Sequence, residues 1–262
     1  MKKLVMAAAV LSAAFAMADD SGIVSSSIVG YQTISGVGQA QFVPLAVQFE
    51  NIGESTSFPI AELVTVGTPA GGNTLGTGAD QIWVWNTAGA DWVKYFYRVQ
   101  RGTVYGWCKQ GETAATTDTI AAGTTFFFYR GGSTATTITL SGAVKAATGT
   151  TSATLSQAQF AFMSYPWPVA FSIANMANYY TAGAAAGGNT LGTGADQIWL
   201  WDTTAADWVK YFYRVQRGTV YGWCKQGETV ATTDTIPAGK GFFFYRGGSA
   251  TATVTFTAPE GL

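Results

Sequence analysis

The stretch Gln81-Ile82-Trp83-Val84-Trp85-Asn86-Thr87-Ala88-Gly89-Ala90-Asp91-Trp92-Val93-Lys94-Tyr95-Phe96-Tyr97-Arg98-Val99 decides the fold class. Ile82 to Trp85 is a short apolar run rich in aromatics. Asn86 to Ala90 is turn-forming, and Asp91 to Val99 continues as a second strand, so the segment reads as a β-hairpin. Outward from it, Arg101-Gly102 breaks the chain and Thr103 to Lys109 forms a third strand. Thr119 to Gly123 is a turn leading into Phe126-Phe127-Phe128-Tyr129, and Thr136 to Leu140 alternates as a closing strand. Short strands, Gly-rich punctuation and no helical period predict an all-β protein of antiparallel sandwich-like or barrel-like units.

The same pattern occurs twice. Ala70 to Ser133 matches Ala186 to Ser249 at an offset of 116 residues, with differences only at positions 84, 86, 88, 89, 114, 121, 124 and 125 of the 64 compared. The flanks match more loosely: Gln39-Ala40-Gln41-Phe42 answers Gln157-Ala158-Gln159-Phe160, and Phe58-Pro59-Ile60-Ala61 answers Phe171-Ser172-Ile173-Ala174. A period of this length has the size of a domain and not of a solenoid turn. The expected organisation is a signal peptide over 1–18, a first β module over 19–146, a linker over 147–152 and a second β module over 153–262. The signal reading rests on Lys2-Lys3, an apolar run from Leu4 to Ala16 and the small-residue site Ala16-Met17-Ala18. That run is shorter than the ~20 residues of a spanning helix. The expected location is therefore extracellular or on the outer cell surface, with no membrane-spanning helix after cleavage.

Of 14 Lys and Arg, Lys2 and Lys3 fall in the leader, so the remainder sets 12 basic against 15 acidic residues, a net charge of 12 − 15 = −3. That balance gives no basic footprint for nucleic acid. Aromatics at 14% outnumber charges at 11%, the reverse of what disorder needs.

Three short segments resemble a module common in secreted bacterial proteins. They are Ile198-Trp199-Leu200-Trp201-Asp202, then Ile236-Pro237-Ala238-Gly239-Lys240-Gly241-Phe242-Phe243-Phe244, then Thr253 to Phe256. In that module a W-D strand is followed by a PG-x-G-F-F turn and strand and by a Thr/Val-rich closing strand. Ile28-Val29-Gly30-Tyr31 is similar to its VVGY opening, and Tyr165-Pro166-Trp167-Pro168 to its NPYP segment. The first unit departs from the pattern, with Ala121 and Thr125 where Pro and Gly are usual. The resemblance implies a small all-β extracellular, often surface-associated module whose biochemical role is generally unassigned.

The chain contains no histidine. Ser-His-Asp and Cys-His nucleophiles and the usual zinc and copper sites are thereby excluded. Gly71 to Gly78 lacks the Lys-Ser/Thr of a phosphate loop and precedes a strand, so it reads as an ordinary loop. The repeated carboxylates Asp80, Asp91, Glu112 and Asp118, with Asp196, Asp207, Glu228 and Asp234, flank turns where aspartate bonds nearby backbone N–H groups. No catalytic residue, metal site or cofactor is expected. Cys108 and Cys224 occupy equivalent positions and admit three readings: two buried thiols acting as small apolar fillers, one disulfide between the modules, or a bridge between molecules.

The best functional clue is aromatic. Strand alternation along Asp91 to Val99 puts Val93, Tyr95, Tyr97 and Val99 on one face, read as core. Trp92, Lys94, Phe96 and Arg98 fall on the other, joined by Tyr105, Trp107 and Lys109 from the next strand. The second copy supplies Trp208, Lys210, Phe212, Arg214, Tyr221 and Trp223. Such a face either stacks on sugar rings or packs against a second sheet while its cations reach out to water. The expectation is thus a non-catalytic, secreted structural or surface-associated protein that self-associates. The alternative is a carbohydrate-binding protein that uses the two aromatic faces to hold polysaccharide.

Overall fold

The computed structural model describes residues 29–50, 57–73, 75–121, 123–144, 150–189 and 191–258. The expected signal peptide and residues 147–149 of the expected linker lie outside them. The first half comprises β1 (Val29–Val37), β2 (Phe42–Ala46), β3 (Phe49–Glu50), β4 (Ser57–Pro59), β5 (Thr65–Val66) and β6 (Gln81–Asn86). It continues with β7 (Asp91–Gln100), β8 (Thr103–Lys109), β9 (Thr119–Ala121), β10 (Thr125–Tyr129) and β11 (Thr136–Val144). The second half comprises β12 (Thr150–Leu155), β13 (Phe160–Ser164), β14 (Phe171–Ser172), a 3₁₀ helix (Ile173–Tyr179) and β15 (Tyr180–Ala182). It ends with β16 (Gln197–Asp202), β17 (Asp207–Gln216), β18 (Thr219–Lys225), β19 (Thr235–Ile236), β20 (Gly241–Tyr245) and β21 (Ala252–Thr257).

The all-β expectation holds. Among the described residues no sheet closes into a barrel, so of the two expected architectures the sandwich-like one is found. Two boundaries need correction. Thr150 to Ser152, expected in the linker, already belong to β12, which pairs along its length with β21. Thr119 to Ala121, expected as a turn, pair with β4 because Ile120 buries its side chain opposite Phe58. No helix among the described residues is long and apolar enough to cross a membrane.

Each half has a five-stranded antiparallel sheet, in the orders β2-β10-β6-β7-β8 and β13-β20-β16-β17-β18. Against one face lies a smaller sheet, built around β11 in the first half and β21 in the second. The first core fills the space between them with Val43, Leu45, Ile82, Tyr95, Phe126 and Phe128 from the large sheet and Ile138 and Leu140 from the small one. The second is closed similarly by Ile198, Tyr211, Phe242, Phe244, Val254 and Phe256. Strand alternation then sends Phe127, Trp83 and Trp85 to the opposite face of the large sheet. That face is buried too, against the large sheet of the other half. The result is four stacked layers, with the two five-stranded sheets in the middle. Unbroken runs such as Ile82-Trp83-Val84-Trp85 and Phe126-Phe127-Phe128 suit a sheet buried on both faces.

Each half also encloses an ion pair. The Arg130 guanidinium lies 2.6 Å from Asp80, and Arg246 lies 2.5 Å from Asp196, with both carboxylates fully buried. The backbone N–H groups of Ala70 and Gly131 also donate to Asp80, so its remaining acceptor sites are occupied as burial requires.

Candidate functional site

The aromatic face predicted from β7 divides among three environments. Trp92 and Trp208 pack between the two large sheets, with Phe127, Phe162 and Phe243 buried at the centre. Phe162 stacks on Phe127 at 4.9 Å between ring centroids and on Phe243 at 4.6 Å. The tryptophans surround this stack edge-on: Trp85 meets Phe243 at 5.3 Å and Trp201 meets Phe127 at 6.1 Å. These are the tilted and perpendicular geometries that ring quadrupoles favour. Two hydrogen bonds cross the seam reciprocally: the Trp85 indole N–H donates to the Phe160 carbonyl, and the Trp201 N–H to the Phe42 carbonyl, both at 3.2 Å. Equivalent donors thus reach equivalent acceptors, which makes the seam approximately twofold.

Lys94 and Lys210 lie at the rim of this seam. Each ammonium sits over a tryptophan ring, Lys94 at 3.8 Å from Trp83 and Lys210 at 3.9 Å from Trp199. Trp83 and Trp199 are held in place by their own N–H bonds to Gln81 and Gln197.

Phe96 and Phe212, on the same side of the strand but further along, are buried elsewhere. Phe96 joins Ala79 and Cys108, covered by the glycine-rich 71–79 loop. Gly76 has a φ of +74°, and a Cβ there would lie 3.2 Å from the Phe96 ring. The loop resembling a phosphate cradle is therefore a cover for an aromatic ring. Arg98 and Arg214 are also buried; each lies over the ring of Tyr105 or Tyr221 at about 4 Å. Each donates to a backbone carbonyl, Thr113 for Arg98 and Thr229 for Arg214.

Trp107 and Trp223 correct the expected face. The turn at Arg101-Gly102 begins a regular hairpin, with Gln100 opposite Thr103 and Val99 opposite Val104. Continued without interruption, that register would set Trp107 opposite Phe96. A one-residue bulge at Tyr105 shifts it, so Arg98 pairs with Gly106 and Tyr97 with Trp107. A slip of one residue exchanges the faces of a strand. Trp107 therefore enters the core beside Tyr97, and Trp223 does the same beside Tyr213. Lys109 moves with it and pairs with Asp118 at 3.3 Å.

Both cysteines are free buried thiols. The disulfide reading is thus set aside in favour of the apolar-filler reading, with burial the leading cause that raises each thiol pKa. Among the described residues no group of His, Cys, Asp and Glu could hold a metal ion.

No family model matches the chain, and no curated protein or solved structure matches it significantly.

Two concavities stand out among the described residues. One, of about 340 Å³, lies in the first half and is lined by Val64, Val66, Pro69, Tyr97, Tyr105 and Trp107. The other, of about 250 Å³, lies at the joint of the halves between Gln32, Gln41 and Pro44 on one side and Thr203, Thr204 and Lys240 on the other. Burial lowers the pKa of Lys240, opposed by the charge of Asp202. Of the seam, the sequence points only to Trp92 and Trp208; it misses Trp83, Trp85 and Phe127 with their counterparts Trp199, Trp201 and Phe243, and also Phe42, Phe160 and Phe162 outside the near-identical stretch. Their signal is the uninterrupted apolar character of runs such as Ile82-Trp83-Val84-Trp85 and Phe160-Ala161-Phe162-Met163.

Proposed function

We propose that the chain is a non-catalytic, secreted structural or surface-associated protein whose two halves act as one bivalent body. The observation that carries this reading is the reciprocal aromatic seam. The flat rings best suited to a ligand, Trp92 and Trp208, are engaged inside the molecule. The buried carboxylates Asp80 and Asp196 are held by arginines and backbone N–H groups, an arrangement that suits framework and not proton transfer.

What faces outward is present twice. β8 and β18 end their sheets, and each edge carries an exposed Val-Tyr pair, Val104-Tyr105 and Val220-Tyr221. Edge strands offer unpaired backbone groups to other chains, and two on one molecule permit open-ended association. Light scattering over a concentration series tests this: mass should grow with concentration, and Val104→Lys/Val220→Lys should abolish the growth. A constant monomer mass would refute self-association.

The carbohydrate reading moves to Tyr105 and Tyr221, which keep exposed rings backed by arginine. Glycan binding lost in Tyr105→Ala/Tyr221→Ala, but unchanged in Val104→Lys/Val220→Lys, would favour it over assembly.

A further inference from the structure

The seam is approximately twofold, yet at its centre the two halves are not alike. Phe162 stands in register where the first half has Pro44: Phe162 pairs with Phe243 of β20, and Pro44 with Phe127 of β10. One phenylalanine therefore occupies the space between Phe127 and Phe243, stacking on both. Beside it, Gly241 answers Thr125 at the start of the equivalent strands. A Cβ built on Gly241 would lie 1.8 Å from the Thr125 Cγ2 and 3.0 Å from its Cβ.

Gly241 has no positive φ, so its backbone would accept a side chain without strain. A glycine inside a strand weakens it unless another group approaches closely. Here the approaching group is Thr125, which is fully buried. The three nearest atoms to the added Cβ all belong to Thr125.

We infer that the docking face of each half is specific for the unlike half, and that Thr125 with Gly241 and Phe162 with Pro44 set that specificity. Two second halves would bring two Phe162 rings into one space. Two first halves would oppose Thr125 to Thr125, the contact that Gly241 avoids, and would leave the space between the Phe127 rings without a phenylalanine. The partner this surface fits is the opposite half of the same chain. Two of the eight substitutions between the near-identical stretches, at 124 and 125, lie at or beside this contact, and Lys240 lines the cleft at its margin.

The test is a swap in the full chain, read by thermal unfolding followed through tryptophan emission. Gly241→Thr should lower the Tm by about 5 °C or more through overpacking, with emission shifted to the red as the seam opens. Thr125→Gly should lower it through the void it leaves. Thr125→Gly/Gly241→Thr, which exchanges the pair across the seam, should return the Tm to within about 2 °C of the parent, because the composition of the two strands is conserved. The inference is overturned if Gly241→Thr leaves the Tm unchanged. It is equally overturned if the double variant falls by the sum of the singles or does not fold.

Discussion

The segments that close the base of each half start from related sequences and end differently. In the first, β4 leads through a turn to β5, which pairs with β11 at Ile138 and Thr139. In the second, β14 leads into the 3₁₀ helix and then β15, which pairs with β21. Ile60 and Ile173 are buried alike, as are Leu63 and Met176. Beyond them the second half adds Tyr179 and Tyr180. Tyr179 packs on Phe171 and Phe256 at 5.3 Å, and the helix lies against β18. The first half has Val66 near that place and retains the pocket against Tyr97, Tyr105 and Trp107. A shared framework of hairpin and ion pair thus tolerates two different closures, because the large sheet and its seam are formed by other residues.

The ion pairs offer the strongest way to sharpen this contrast. Asp196 receives a 2.5 Å hydrogen bond from the Tyr180 hydroxyl in addition to Arg246, whereas Asp80 has no described tyrosine donor. Removing an arginine leaves a buried carboxylate without its counter-charge, which costs about 3–5 kcal/mol. Arg130→Met should show that full loss in urea denaturation. Arg246→Met should lose about 1 kcal/mol less, since the tyrosine bond survives. Equal losses would mean that the different closures do not reach the frameworks they cover.

Where the halves are alike, their variants should match. Trp85→Phe and Trp201→Phe each remove one seam hydrogen bond and part of a ring, for a loss of about 2 kcal/mol apiece. Midpoints differing by more than about 0.5 kcal/mol would break the approximate twofold at that point.

The smallest effect concerns pH. The Tyr95 hydroxyl bonded to Asp118 lowers the pKa of that carboxyl, assisted by Lys109, while partial burial opposes it. A depressed folded-state value contributes stability that is present above the unfolded pKa, about 3.9, and is lost as pH falls through the folded value. Asp118→Asn should therefore lower the Tm slightly at pH 7 and flatten its decline below about pH 4. The effect is small because this pair is open to solvent. A variant as acid-sensitive as the parent would contradict the assignment.

The hairpin and the closing strands could be read from alternation and turn residues because those signals are local. Phe126-Phe127-Phe128 also carried the two-sided burial of its sheet, since no polar residue marks a solvent face. The bulge at Tyr105 could not be read this way: Val104-Tyr105-Gly106-Trp107 alternates equally well in either register, and the choice is made by Gly106 adopting a φ of +80°. The partner of Asp80 was hidden by distance, with Arg130 lying 50 residues along the chain. The aromatic-cationic face is legible in the alternation of β7, but which ring meets a core, a covering loop or the other half depends on the bulge in β8 and on packing between halves. Neither is encoded in one strand.

The two halves form one body through their aromatic faces, and small-angle X-ray scattering on dilute protein reads that state without perturbing it. A single packed body of this size should give a radius of gyration of about 18 Å and a distance distribution with one maximum. A distinctly larger radius with a two-lobed distribution would show halves that move apart, and would contradict the seam on which the account rests.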